Sequence, residues 1–267
     1  MSGFTEPAKK HLGQNFLHDR GVIDKIVLAV DPQAGDRIVE IGPGQGALTF
    51  PLLRRHGELT AIEFDRDLHA PLQAAAREHG RLHLIEGDVL GVDFSALAAA
   101  SGDATGQIRL VGNLPYNLSS PILFHALDHA PAVRDMHFML QKEVVERMAS
   151  GPGCKVYGRL SVMLQAYCTV TPLFIVPPGA FRPAPKVESA VVRMVPKPAD
   201  GIDVQDRRLF ANVVRAAFGQ RRKTLRNALN GVADTSQIEA AGLRADARAE
   251  QVEVGGFVRL ANMLGET

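Results

Sequence analysis

Between about residue 36 and residue 196, short apolar runs alternate with stretches in which apolar side chains recur every three or four positions. Residues 37–41 (RIVEI) read as a strand that runs into glycines. Residues 47–56 then read as a helix carrying Leu48, Leu52 and Leu53 on one face. The same alternation gives strands at 59–64, 82–85, 108–111 and 136–140, with helices at 68–79 and 119–128. A helix at 22–30 precedes the first of these strands. Strand and helix taking turns in this way predicts a parallel sheet covered by helices on both faces. Residues 173–176 and 190–194, separated by a proline-rich loop, predict a closing antiparallel pair. The stretch PKPADG at 196–201 has the composition of a linker. Beyond it only helical patterns remain, at 205–218, 223–229, 236–241 and 258–264. The expected organisation is an α/β domain over 1–197 and a small all-helical domain over 198–267.

The polar residues that interrupt the strand ends carry the first chemical signal. The strand at 37–41 leads into Gly42-Pro43-Gly44-Gln45-Gly46, and glycines between a strand and a helix let a ligand approach the backbone. Glu63 ends the second strand, where an acid can accept hydrogen bonds from both hydroxyls of a ribose. Asp88 follows the third. All three positions fall at the carboxyl edge of the sheet, where open α/β folds bind ligands. The glycine spacing is G-x-G-x-G rather than the G-x-G-x-x-G of pyrophosphate-binding turns, and the loop holds no basic residue. Three acids at successive strand ends, Glu40, Glu63 and Asp88, suit an adenosine with a cationic tail, S-adenosylmethionine; for the turn alone, NAD is the rival.

The fourth strand ends in Asn113-Leu114-Pro115-Tyr116. Turn chemistry accounts for the proline. It does not account for the amide and the ring together. Beside a methyl donor, the Asn113 carbonyl and the Leu114 carbonyl, aimed by Pro115, would accept the two hydrogens of a planar amine. Tyr116 would stack under the base that carries it, an interaction worth about 1–3 kcal/mol. Phe181 could close on the other face of that base or simply anchor its loop on the sheet. His125 and His129 stand four apart on a helix without a partner acid in metalloprotease spacing, and read as surface or core histidines rather than metal ligands. No metal is expected.

Composition narrows the setting. With 46% hydrophobic residues the chain has ample material for a core. Its 30 Lys and Arg against 29 Asp and Glu leave a net charge of only +1, so any nucleic-acid surface has to be a local patch. One such patch exists: Arg207, Arg208, Arg215, Arg221, Arg222, Lys223 and Arg226 are opposed only by Asp206 between residues 205 and 226. A one-sign stretch in a near-neutral protein fits a phosphate-binding surface, against the ordinary reading of a solvated face. Lys9, Lys10 and His11 extend the patch or form a mobile arm. The two cysteines, Cys154 and Cys168, make no disulfide framework. Lacking an apolar leader or a span-length apolar stretch, the protein is expected to be soluble, cytoplasmic and monomeric.

These motifs together resemble those of the ribosomal RNA adenine dimethyltransferases. The residues concerned are QNFL at 14–17, EIGPGQGALT at 40–49, Glu63, Gly87-Asp88, NLPYNLSSP at 113–121, the run from Phe181 to Ser189, and FGQRRKTLRN at 218–227. The resemblance covers nearly the whole chain. It implies a Rossmann-like class I methyltransferase domain at 1–197, an RNA-binding helical domain at 198–267, and dimethylation of the N6 amines of two adjacent adenines in a 16S rRNA hairpin loop. It further implies a part in small-subunit biogenesis. By position it assigns Asn15, Leu17, Gly42, Glu63, Asp88 and Asn113 to the cofactor, and Tyr116 and Phe181 to the target base. The run Arg221, Arg222, Lys223 and Arg226 resembles the family's RNA-contact helix. Relatives that modify 23S rRNA share the catalytic turn, while the basic run and the EIGPG turn resemble the small-subunit branch. A binding protein without turnover and a small-molecule methyltransferase are the remaining alternatives.

Overall fold

The computed structural model describes residues 7–9, 12–100, 106–198, 201, 203–220 and 222–266. The chain packs as two compact units: Met1–Val145 with Thr171–Pro196, and Glu146–Val170 with Lys197–Thr267.

The first unit opens with β1 (Phe16–Leu17) and α1 (Arg20–Val30). The alternation expected from the sequence follows: β2 (Ile38–Ile41), α2 (Thr49–His56), β3 (Glu58–Glu63), α3 (Arg66–Ala76), β4 (Arg81–Glu86), α4 (Phe94–Ala99), β5 (Ile108–Asn113), α5 (Ser119–Asp128) and β6 (Val133–Gln141). Two further helices, α6 (Lys142–Ala149) and α7 (Arg159–Tyr167), lead to β7 (Cys168–Val176), β8 (Phe181–Arg182) and β9 (Ser189–Pro196). Seven strands form one sheet in the order β4-β3-β2-β5-β6-β9-β7. From β4 to β6 neighbours run parallel, and β9 is antiparallel to β6. The expected late strands are present, but β9 lies between β6 and β7 rather than pairing with β7 alone.

All four residues of β2 are buried, as a central parallel strand requires. Ile23, Ile26, Val27 and Val30 of α1 and Leu52 and Leu53 of α2 pack in one apolar cluster with Ile38 and Leu59. The chain leaves β2 in one direction to build β3 and β4 and returns to the other side for β5 and β6. The carboxyl ends of β2 and β5 therefore flank a topological switch point, the crevice where such sheets bind ligands.

The second unit is helical and larger than the expected 198–267. It holds α8 (Arg207–Phe218), α9 (Leu225–Ala228), α10 (Thr235–Ala240) and α11 (Val254–Gly265), together with α7. Aromatic packing explains why 146–170 belongs here. The Tyr157 ring meets Phe218 at 6.0 Å and its hydroxyl donates to Val252 O at 2.9 Å, while Tyr167 meets Phe210 at 6.1 Å. The last helix is longer than expected, beginning at Val254 rather than at 258.

Candidate active site

Four strand ends and one N-terminal segment enclose a cleft. Its walls come from residues 12–17, the turn after β2, Glu63 and Phe64 after β3, Gly87 to Val89 after β4, and the stretch from Asn113 to Leu118 with Ile122. Asn15, Leu17, Gly42, Glu63, Asp88, Asn113, Leu114, Pro115 and Tyr116 all line it. Gly42 adopts φ +66°, and the space its missing Cβ would occupy is empty out to 4 Å, so ligand atoms can reach the backbone there. At Gly44, φ +56°, a Cβ would stand 3.1 Å from the Phe16 ring, so the turn and the N-terminal segment are fitted to each other.

Among the described residues the acids that line the cleft have no ion pair. Glu63 is buried; its Oε2 accepts from the Gly44 N–H at 3.0 Å and its Oε1 from the Asp65 N–H at 2.8 Å. Burial raises its pKa against the pull of those two donors. Glu40, one residue inside β2, accepts from Thr49 Oγ1 at 2.7 Å. Burial pushes its carboxyl up to about 8, with the Thr49 bond opposing and Glu63 adding to the shift. The exposed Asp88 caps the short turn after it, accepting from Leu90 N–H at 3.0 Å. No lysine, arginine or histidine lines the cleft among the described residues. Glu63 and Asp88 are legible from the sequence because they stand at strand ends. Glu40 is legible too, as the acid that leads into the glycine turn, but its full burial inside the strand is not.

The turn after β5 is held by its neighbours. Leu114 N–H donates to Met139 O at 3.1 Å, Ser119 Oγ donates to Pro115 O at 3.0 Å, and Leu118 N–H donates to the same carbonyl at 3.0 Å. None of these bonds takes up the Leu114 carbonyl. Asn113 Nδ2 donates to Asn15 O at 3.0 Å, which leaves its Oδ1 as the acceptor for a ligand. The Tyr116 hydroxyl pairs with the buried Ser189 Oγ at 2.9 Å, fixing the ring from β9. Burial raises the Tyr116 phenol, so at neutral pH it is an uncharged anchor.

Phe181 does not reach this cleft. Its ring is 3% exposed, aligned with Leu17 across the β1–β8 pair and packed with Val176 and Ala180. Being apolar and next to a ready core, it does what the loop-anchor reading anticipated. The two helical histidines are structural as well. His125 Nε2 bonds Val92 O at 2.8 Å and His129 Nδ1 bonds Ser95 Oγ at 2.9 Å, both rings lying against Phe94.

In the helical unit Arg222, Lys223 and Arg226 are exposed; Arg221 lies outside the described residues. The expected helix over 223–229 is shortened to α9. Leu225 N–H donates to Ala247 O at 2.7 Å and Arg226 N–H to Ala245 O at 3.0 Å, and Thr224 bridges Arg248, so the chain enters α9 from an extended segment. Lys223 and Arg226 border a polar cleft with Asn227, Asn230 and Asp234. Arg207, at the start of the basic stretch, is engaged over the Tyr167 ring at 4.7 Å.

A family model described as ribosomal RNA adenine dimethylase matches residues 5–266. The chain belongs to the ribosomal RNA adenine dimethylase family. It is 70% identical over 98% of both chains to the ribosomal RNA small subunit methyltransferase A of Xanthomonas campestris pv. campestris (strain B100). Among solved structures, a dimethyladenosine transferase from Plasmodium falciparum superposes with TM-score 0.80 at 25% identity, covering 93% of this chain and 98% of that one. The 23S rRNA methyltransferase ErmE shares the fold at TM-score 0.71 and 24% identity, over 94% of this chain and 100% of that one.

Proposed function

We propose that the chain uses S-adenosylmethionine to dimethylate the N6 amines of two adjacent adenines in a hairpin loop of 16S rRNA, acting as a monomer in the cytoplasm during small-subunit biogenesis. The observation that carries the cofactor assignment is the acid-lined cleft: Glu40, Glu63 and Asp88 line it, and no cationic side chain does among the described residues. A pyrophosphate would find no positive partner there. A sulfonium and an ammonium would find three acids, and a ribose would find Glu63. The open space over Gly42 leaves room for close backbone contact. Phe64 and Val89, apolar residues beside Glu63 and Asp88, offer faces for an adenine ring.

When bound, S-adenosylmethionine supplies a methyl group already activated by its sulfonium. The protein's own work is on the acceptor. An aromatic amine is a weak nucleophile because its lone pair is delocalised into the ring. Asn113 Oδ1 and the Leu114 carbonyl, accepting its two hydrogens, favour a pyramidal nitrogen and return density to the lone pair. Tyr116, held by Ser189, gives the base a stacking face once it is turned out of the RNA. In-line positioning then contributes much of the rate, and the proton leaves to solvent. Phe181 supports the site through Leu17 rather than as a wall. Arg222, Lys223 and Arg226, with Arg221, hold RNA phosphates from the helical unit.

Purified protein given labelled methyl donor and unmethylated small-subunit RNA or particles is expected to produce N6,N6-dimethyladenosine at two adjacent positions, read by mass spectrometry of digested RNA. Binding without transfer at saturating donor, or transfer to 23S rRNA alone, would overturn the proposal.

A further inference from the structure

Asp65 is buried, and the reaction outlined above gives it no task. Its N–H donates to Glu63 Oε1. Its carboxylate accepts from Gln14 Nε2 at 2.8 Å and from Lys9 Nζ at 2.5 Å, and Lys9 Nζ also reaches Asp67 at 2.6 Å. Gln14 Oε1 in turn accepts from the Lys9 N–H at 2.7 Å. Asp65 caps α3 too, accepting from Asp67 N–H at 3.2 Å. Capping alone needs no donors from 51 and 56 residues away. These bonds tie down one end of the segment that walls the cleft. Its other end is tied by β1 to β8 and by the His18 N–H to Ala180 O at 2.9 Å. Between the two anchors lies Asn15, whose carbonyl accepts from Asn113 Nδ2.

We propose that Asp65, Gln14 and Lys9 form a positioning latch that seats residues 12–17 and so holds the Asn15 carbonyl where it orients the Asn113 amide for methyl transfer. The inference rests on the role given to Asn113 above. A primary amide presents nearly the same shape in either orientation, and only the donor–acceptor pattern around it decides between them. With Nδ2 committed to Asn15 O, the acceptor oxygen is left for the incoming amine. If the segment lifts, that selection is lost and a donor can face a donor. The carboxylate is suited to a lasting latch: burial alone would raise its pKa, but the bonds from Lys9, Gln14 and the Asp67 N–H hold it below the usual carboxylate range.

The test uses the full-length protein with Gln14→Ala, the double variant Lys9→Ala/Gln14→Ala, and Lys9→Arg as the conservative control. Both truncated side chains are only half-buried and outside the sheet, and removing them opens Asp65 to water, so thermal melting should fall by no more than roughly a few degrees. The turnover number for methyl transfer to small-subunit RNA should fall roughly tenfold, as when a charge-assisted hydrogen bond is removed. Lys9→Arg should retain near wild-type turnover. A second readout needs no turnover: the Asn113 side-chain amide hydrogens, followed by NMR, should shift and exchange faster in the double variant. Unchanged turnover and an unchanged Asn113 amide in the double variant would overturn the latch, as would a rate loss that merely tracks a fall in melting temperature. A wild type that transfers no methyl group would instead sink the proposed function, while the amide signal would still decide the latch.

Discussion

The two ends of the same sheet handle buried acids in opposite ways. At the amino ends of β5 and β6, Arg109 donates to both carboxylate oxygens of Asp135 at 2.9 Å and to Asp36 at 2.6 Å, and its remaining donors go to Val30 O and Asp31 O. Arg134 and Arg193 approach the same two acids from the surface. Asp36 is held below the usual carboxylate range; its burial is outweighed by the Gln33 N–H and by Arg109. At the carboxyl ends, Glu40 and Glu63 are equally out of water, and among the described residues neither they nor Asp88 has an ion pair. The pKa values of Glu40 and Glu63 move up instead. One end has completed its charge balance within the chain and serves the fold. The other, among the described residues, leaves its acids without a cationic partner, at a cost in stability.

The largest effect should come from breaking the completed end. Arg109→Leu leaves Asp36 and Asp135 buried without their common partner, and denaturant unfolding should report a loss of about 3–5 kcal/mol. Donor affinity in the surviving folded protein should be unchanged, since Arg109 is remote from the cleft walls. Glu63→Ala should do the reverse. Calorimetry should show S-adenosylmethionine binding weakened by about 1.5–3 kcal/mol, as for hydrogen bonds to a charged group, with a smaller effect on folding.

The third effect is a pH dependence. Glu40 binds its proton more tightly folded than unfolded, so the folded state holds the extra proton between 4.5 and about 8. Stability should therefore fall as pH rises through that window and level off above it. Melting curves of Glu40→Gln in the free protein should lack that part of the slope; an identical pH profile would remove Glu40 as its source. The smallest effect belongs to the surface. Neutralising Lys223 and Arg226 together should leave folding unchanged. It should also reduce the slope of log affinity against log salt for RNA by roughly 0.7–0.9 for each phosphate that is no longer neutralised.

What the sequence disclosed was local in origin. Glycines, acids and the NLPY turn sit at strand ends, and strand ends are legible from apolar runs. Asn15 and Leu17 came only through family resemblance, because their role depends on β1 pairing with β8 far along the chain. The bonds from Lys9 and Gln14 to Asp65 were illegible for the same reason: nothing in a helix-capping aspartate announces donors more than fifty residues upstream. Phe181 was readable as aromatic and loop-borne, but which wall it would join depended on tertiary packing. Helix α7 is not legible in the pattern because Ser161 to Leu164, Ala166 and Tyr167 are all buried, so it shows no amphipathic stripe. It also runs straight into β7 with no glycine or proline between.

The claim that the incomplete end is a methyl-transfer site is tested most directly at Asn113. Small-subunit RNA treated with wild-type protein and with Asn113→Ala should be digested and its N6,N6-dimethyladenosine quantified by mass spectrometry over time. Rapid dimethylation is expected from the wild type, and a rate at least roughly a hundredfold lower from the variant at an unchanged melting temperature. Wild-type rates from Asn113→Ala would contradict that claim.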